Sequence, residues 1–166
     1  MNFHSILVAV DGSRHSDAAL AHAIELARDG NARLTILTAT PSPPGVSLVG
    51  PGAAAVAEAT AAIDHDFDEI LRAAIERVPD DLPVTSVHAS GPPANAILSE
   101  VKRGNHDLIV MGSRGLGLAR ALMGSVSHRV LRHAPAAVLI VHAEPGTDAP
   151  EPEAPDQAAR GANVSR

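Results

Sequence analysis

Short unbroken apolar runs alternate along the chain with longer segments whose apolar residues recur every three or four positions. Residues 5–10 (SILVAV), 32–39 (ARLTILTA), 82–90 (LPVTSVHAS), 106–112 (HDLIVMG) and 136–142 (AAVLIVH) are the short runs. Their length and β-branched content predict strands, and the continuous apolar ones predict strands covered on both faces. In residues 16–30, Ala19, Leu20, Ala23, Ile24 and Ala27 mark one helical face. Ser13 or Ser16 is placed to cap the start of that helix and Gly30 to stop it. Residues 53–77 repeat the pattern, with Val56, Ala59, Ile63, Phe67, Ile70, Leu71 and Ala74 on one side. A third helix opens on the prolines at 92 and 93 and closes at Gly104, and a fourth follows Gly124 with a cationic last turn. Pro83 places its strand at a sheet edge or early in the strand.

Strand and helix alternate throughout, which predicts an α/β fold: an open parallel sheet of five strands with helices on both faces. Ligands of such sheets bind beyond the carboxyl ends of the strands, where strand order reverses. Two loops leave strands at that end: Asp11-Gly12-Ser13 after the first, and residues 112–127 after the fourth. They share one crevice if strands one and four are neighbours. The stretch 41–52 is a proline- and glycine-rich loop. Residues 1–142 read as one domain. Residues 143–166 hold five acids against two arginines and almost no large apolar side chain, the composition of a disordered, solvating tail.

Composition narrows the partners. The net charge of −6 and the absence of Trp and Tyr argue against nucleic acid, which asks for a basic surface or stacking platforms. No cysteine is present, so thiol catalysis and thiolate metal sites are excluded. None of the nine histidines pairs with another at helical metal-ligand spacing. The run Ile6 to Val10 is too short for a signal peptide or a membrane span, and a soluble cytoplasmic protein is expected.

The segment MGSRGLGLARALMGSVSHRV, residues 111–130, departs from the acidic background: four arginines and no acid lie between Leu108 and Ala143. It is not a P-loop, because no lysine follows Gly124, and its Gly112, Gly115 and Gly117 reverse the dinucleotide spacing. Its physics still suits an anion. Glycines let backbone N–H groups approach an oxyanion, and Gly124-Ser125 opens a helix whose N-terminal dipole favours negative charge. A flexible connector fits the same residues. Asp11 offers a carboxylate for Mg²⁺ or a ribose hydroxyl, though Asp-Gly-Ser taken alone reads first as an Asx turn or helix cap.

Together, ILVAVDGSRHSDAAL near the start and DLIVMGSRGLG…MGSVSHRVLRHAPAAVLIV near the end resemble the universal stress protein family, over about Phe3 to His142. The resemblance implies strand order 3-2-1-4-5, with strands one and four adjacent. It implies an adenine nucleotide, ATP with Mg²⁺ on Asp11, bound by Ala9, Val10, Asp11 and Ala39 and by Met111, Gly112, Ser113, Arg114, Gly115, Gly124, Ser125, Val126 and Ser127. ATP would act as a regulatory ligand with little or no hydrolysis. A homodimer through strand 136–142 is also implied. The ATP-binding members carry G-x₂-G-x₉-G-[ST], whereas eight residues separate Gly115 from Gly124 here. That shorter arc favours the alternative, a non-nucleotide-binding member acting as a dimeric interaction protein.

Overall fold

The computed structural model describes residues 2–41, 53–114 and 123–143. The tail after Ala143, the loop after Pro41, and the arc 115–122 with Gly115 and Gly117 lie outside the described residues.

Among the described residues nine elements alternate: β1 (Ser5–Ala9), α1 (Arg14–Gly30), β2 (Arg33–Thr40), α2 (Ala53–Glu76), β3 (Val84–Ser90), α3 (Pro93–Arg103), β4 (Leu108–Gly112), α4 (Ser125–His133) and β5 (Ala137–Val141). All strand pairs are parallel, in the order β3-β2-β1-β4-β5, as expected. Register places Val8 between Ile36 and Val110. Alternation along each strand sends side chains to opposite faces. Ile6, Val8, Ile36 and Val110 therefore join Leu20 of α1 and Leu71 of α2 in one core layer. Leu7, Leu37 and Ile109 join Ile97 of α3 and Val130 of α4 in the other.

The α1 start matches the expectation: Ser13 Oγ accepts the Ser16 N–H at 3.2 Å, and Ser16 Oγ donates to the Ser13 carbonyl at 2.9 Å. Its end differs. Gly30 remains helical, and Asn31 takes the left-handed turn at φ 50°, a conformation asparagine tolerates. A Cβ on Gly30 would lie 3.3 Å from the Phe3 carbonyl oxygen, so the glycine serves the chain crossing below it.

The α2 stripe is only half buried. Leu71 and Ala74 are in the core, but Ala59 and Ile63 are exposed. Helix length accounts for part of this. At 1.5 Å per residue the 24 residues of α2 span about 36 Å, whereas the eight residues of β2 span about 27 Å. The first turns of α2 overhang the sheet.

At the amino end of the sheet, Asp107 accepts the His4 and Ser5 N–H groups at 2.8 and 3.1 Å. Burial pushes its carboxyl up, but these donors outweigh burial and hold its pKa below the usual value. Next to it, buried His106 pairs its Nδ1 with Ser5 Oγ at 2.8 Å. Its Nε2 stands 3.7 Å from the Glu100 carboxylate, which Arg103 grips through two hydrogen bonds. Burial drives the His106 pKa below its ordinary value; Glu100 opposes this, and Arg33 and Arg103 add to it. The unfolded chain therefore takes up the proton first as pH falls. Stability contributed by neutral His106 is complete well above the ordinary imidazole value of about 6.5 and is lost as pH drops below it. Urea melts between pH 7.5 and 5.5 are expected to show this loss, with a slope of up to about 1.4 kcal/mol per pH unit for each such histidine. In His106→Gln the slope should shrink by up to one proton; an unchanged slope would count against the assignment.

Candidate functional site

The carboxyl ends of β1 and β4 lie side by side because Ala9 pairs with Met111. The chain leaving β1 continues the sheet for one residue: the Val10 N–H donates to the Leu37 carbonyl, and the Val10 carbonyl accepts from Thr38 Oγ1. It then turns at Gly12, whose φ of 77° lies in the left-handed region. Asp11 Oδ1 accepts the Ser13 N–H at 3.1 Å. The Asx turn is thus real, and it leaves the second carboxylate oxygen outside this bond.

The chain leaving β4 is stapled at its base. Gly124 donates its N–H to the Ser113 carbonyl at 2.7 Å, so the two ends of the glycine arc meet. Ser127 Oγ donates to the Gly112 carbonyl at 2.9 Å, and Ser13 Oγ donates to the Arg114 carbonyl at 3.4 Å. Gly112 is pressed against the first turn of α1: a Cβ there would lie 2.8 Å from His15 C and Cβ and 2.9 Å from Ser16 N. His15 accepts the Ala143 N–H on Nδ1 at 2.8 Å. Burial lowers the His15 pKa, and the cations Arg114 and Arg14 and the neighbouring His142 lower it further, against Asp11. The imidazole is therefore neutral at pH 7.

Between these loops lies a cavity of about 330 Å³, at the small end of the ligand-pocket range. Ala9, Leu37, Ala39, Ile97 and Met111, which belong to the core layer under α3 and α4, supply apolar wall. Val10, Asp11, Gly112, Arg114, Gly124, Ser125, Val126 and Ser127 supply the rest of the lining from the two loops and the start of α4. Of the residues expected from sequence, Ser113 is absent from the lining; it is wholly buried, with its hydroxyl 3.5 Å from His15 Nδ1. Gly115 lies outside the described residues. Ser127 borders the cavity, but its hydroxyl proton is committed to Gly112. Ser16, Pro41, Phe67, Pro93 and Met123 also line the cavity and were not expected.

Two features at the cavity suit a negatively charged group. Gly124 caps α4 with no side chain, so the N–H groups of Ser125, Val126 and Ser127 have no acceptor in the helix. Arg114 Nε is buried and meets no acceptor among the described residues; buried polar atoms of this kind call for an explanation. No group of three or more His, Cys, Asp or Glu side chains capable of holding a metal occurs among the described residues. No helix among them is long and apolar enough to cross a membrane.

Comparison with known proteins decides the lineage. The model of the universal stress protein family matches residues 2–142. The chain belongs to the universal stress protein family. Universal stress protein YxiE of Bacillus subtilis is 35% identical over 148 residues, covering 84% of this chain and 99% of that protein. Universal stress protein UspA from Lactobacillus plantarum superposes with a TM-score of 0.71 at 24% identity, covering 85% of this chain and 99% of that one, which shows the shared fold. A universal stress protein solved in complex with cAMP superposes with a TM-score of 0.56 at 28% identity, covering 86% of this chain and 99% of that one.

Proposed function

We propose that this universal stress protein binds an adenine nucleotide, ATP in the working state, in the cavity between the β1 and β4 loops. The observation that carries the reading is that Arg114, whose Nε meets no acceptor among the described residues, and the uncapped start of α4 both line one cavity with an apolar wall. An apolar wall suits a purine ring, and backbone N–H groups with a guanidinium suit phosphate oxygens. The relative solved with cAMP supports the same ligand class. Asp11, Gly112, Gly124, Ser125 and the backbone of Val126 and Ser127 would hold the ribose and phosphates, and Ala9 and Ala39 would border the base. Mg²⁺ would bind through Asp11 and the phosphates, since Mg²⁺ commonly takes one or two carboxylates and keeps its waters.

The ligand is regulatory in this reading: nucleotide shifts the protein between states that partners distinguish. The only lysine, Lys102, is exposed on α3 and outside the cavity lining, so no lysine clamps a γ-phosphate. Purified protein is expected to turn ATP over well below about 1 s⁻¹; turnover at or above that rate would contradict a regulatory ligand. The domain would span residues 1–142 and act in the cytoplasm, with 143–166 as its acidic tail.

The alternative, a dimeric interaction protein without nucleotide, is favoured by one feature of the sequence, the eight-residue arc. Both readings include pairing through β5. That strand is the sheet edge next to β4, and Leu139 is 37% exposed; an apolar edge of this kind invites a second copy. The oligomeric state in solution tests this pairing.

A further inference from the structure

Three elements meet in a hydrogen-bond chain outside the cavity. Thr40 Oγ1, at the end of β2, lies 2.6 Å from His88 Nε2 on β3, and His88 Nδ1 lies 2.6 Å from Asp68 Oδ1 on α2. A carboxylate only accepts, so Nδ1 carries the proton toward Asp68, and Nε2 pairs with the Thr40 hydroxyl. The arrangement has the members of a hydroxyl–histidine–carboxylate relay. Thr40 is only 3% exposed, however, so its hydroxyl has no route to a substrate, and the chain acts by holding its elements together.

What it holds is set by the neighbours in sequence. Phe67 precedes Asp68, Pro41 follows Thr40, and both line the cavity. On the N-terminal side of Phe67 the apolar stripe of α2 is loosely held: Ile63 is 40% exposed and Ala59 is exposed. On the other side, Ile70 rests against Gly12, where a Cβ would lie 3.0 Å from its Cδ1. We infer that the Asp68–His88–Thr40 chain positions Phe67, fixing the turn of α2 that brings the ring to the cavity so that it packs against the flat heterocycle of the ligand. Asp68, His88 and Thr40 are positioning residues, and Phe67 is the contact they serve. The inference rests on the nucleotide reading above for the identity of the ligand.

The test is an AMP titration of the full chain with four variants and a control. His88→Leu removes both hydrogen bonds, and Phe67→Leu removes the aromatic face; each is expected to weaken AMP binding by about fivefold, the scale of one aromatic contact. The double variant is expected to bind no more weakly than the poorer single, because both changes remove one interaction. His88→Asn, whose amide N–H can still meet Asp68, is expected to recover most of the loss. Arg77→Gln breaks a tie one residue past the end of α2, the 2.9 Å ion pair with Asp17, and should leave AMP binding within about twofold. Additive losses, or an equal loss in Arg77→Gln, would overturn the inference. Hydrogen exchange of α2 amides 64–70 in ligand-free protein is a separate arm. His88→Leu should speed it by about tenfold and Arg77→Gln should not. Should His88→Leu fail to fold, Asp68→Ala, at an exposed carboxylate, takes its place. A parent that binds no AMP would sink the nucleotide reading, and the exchange arm would still decide whether the chain holds α2; unchanged exchange would overturn it.

Discussion

Replacing Gly124 with valine is expected to weaken adenine nucleotide binding by at least about a hundredfold, while the protein still folds. The fold does not require glycine there. Its φ of −71° is open to any residue, and an added Cβ would meet Arg114 Cα and the Ser113 carbonyl at 3.5 Å and Ser127 Oγ at 3.8 Å, ordinary contact distances. Valine is a poorer helix cap than glycine, at a cost of about 1 kcal/mol, or roughly 4 °C in melting temperature. Its γ-carbons would crowd the N–H groups of Ser125 and Val126 at the cavity. Two hydrogen bonds to a charged phosphate, at about 1.5–3 kcal/mol each, account for the hundredfold figure. Calorimetric titration with AMP, set beside a thermal melt, checks both halves. Parent-like affinity in Gly124→Val would show that the start of α4 holds no phosphate.

Gly112 makes the opposite case. Its replacement by alanine is expected to destabilise the protein by about 3 kcal/mol, the upper part of the overpacking range, and to lower the melting temperature by about 10 °C. The added Cβ would stand 2.8 Å from His15 C and 2.9 Å from Ser16 N, backbone atoms that no rotamer change can move aside. α1 would have to shift from β4, although the two share a core layer. A melt within about 2 °C of the parent would contradict this packing. The two glycines belong to one motif, yet the expected loss is of stability at one and of ligand binding at the other.

The strands and the ends of most elements were legible in the sequence because the central apolar runs, β1, β2 and β4, are short and buried on both faces. Ile6 to Val8 and Leu108 to Met111 are wholly core, so their periodicity has one reading. The pairing of β1 with β4, which creates the crevice, came from the family resemblance, since alternation alone leaves strand order open. The half-empty stripe of α2 was not legible. Val56, Ala59 and Ile63 keep helical spacing whether or not a sheet lies beneath them, and only the comparison of helix and strand lengths exposes the overhang. Phe67 was missed for the same reason: an aromatic on a helical apolar face reads as core, and its place beside the cavity depends on where the sheet stops. Ser127 shows the limit of motif matching. Its position matches the family pattern, but its hydroxyl closes the loop onto Gly112, leaving its backbone N–H as the group available to a phosphate.

The nucleotide reading stands or falls on a direct titration of ATP and AMP into the parent protein, with and without Mg²⁺, followed by calorimetry. Saturable binding at one site per chain, lost in Gly124→Val, is the predicted result. No heat and no thermal shift at millimolar nucleotide would contradict it and leave the dimeric interaction protein as the better reading.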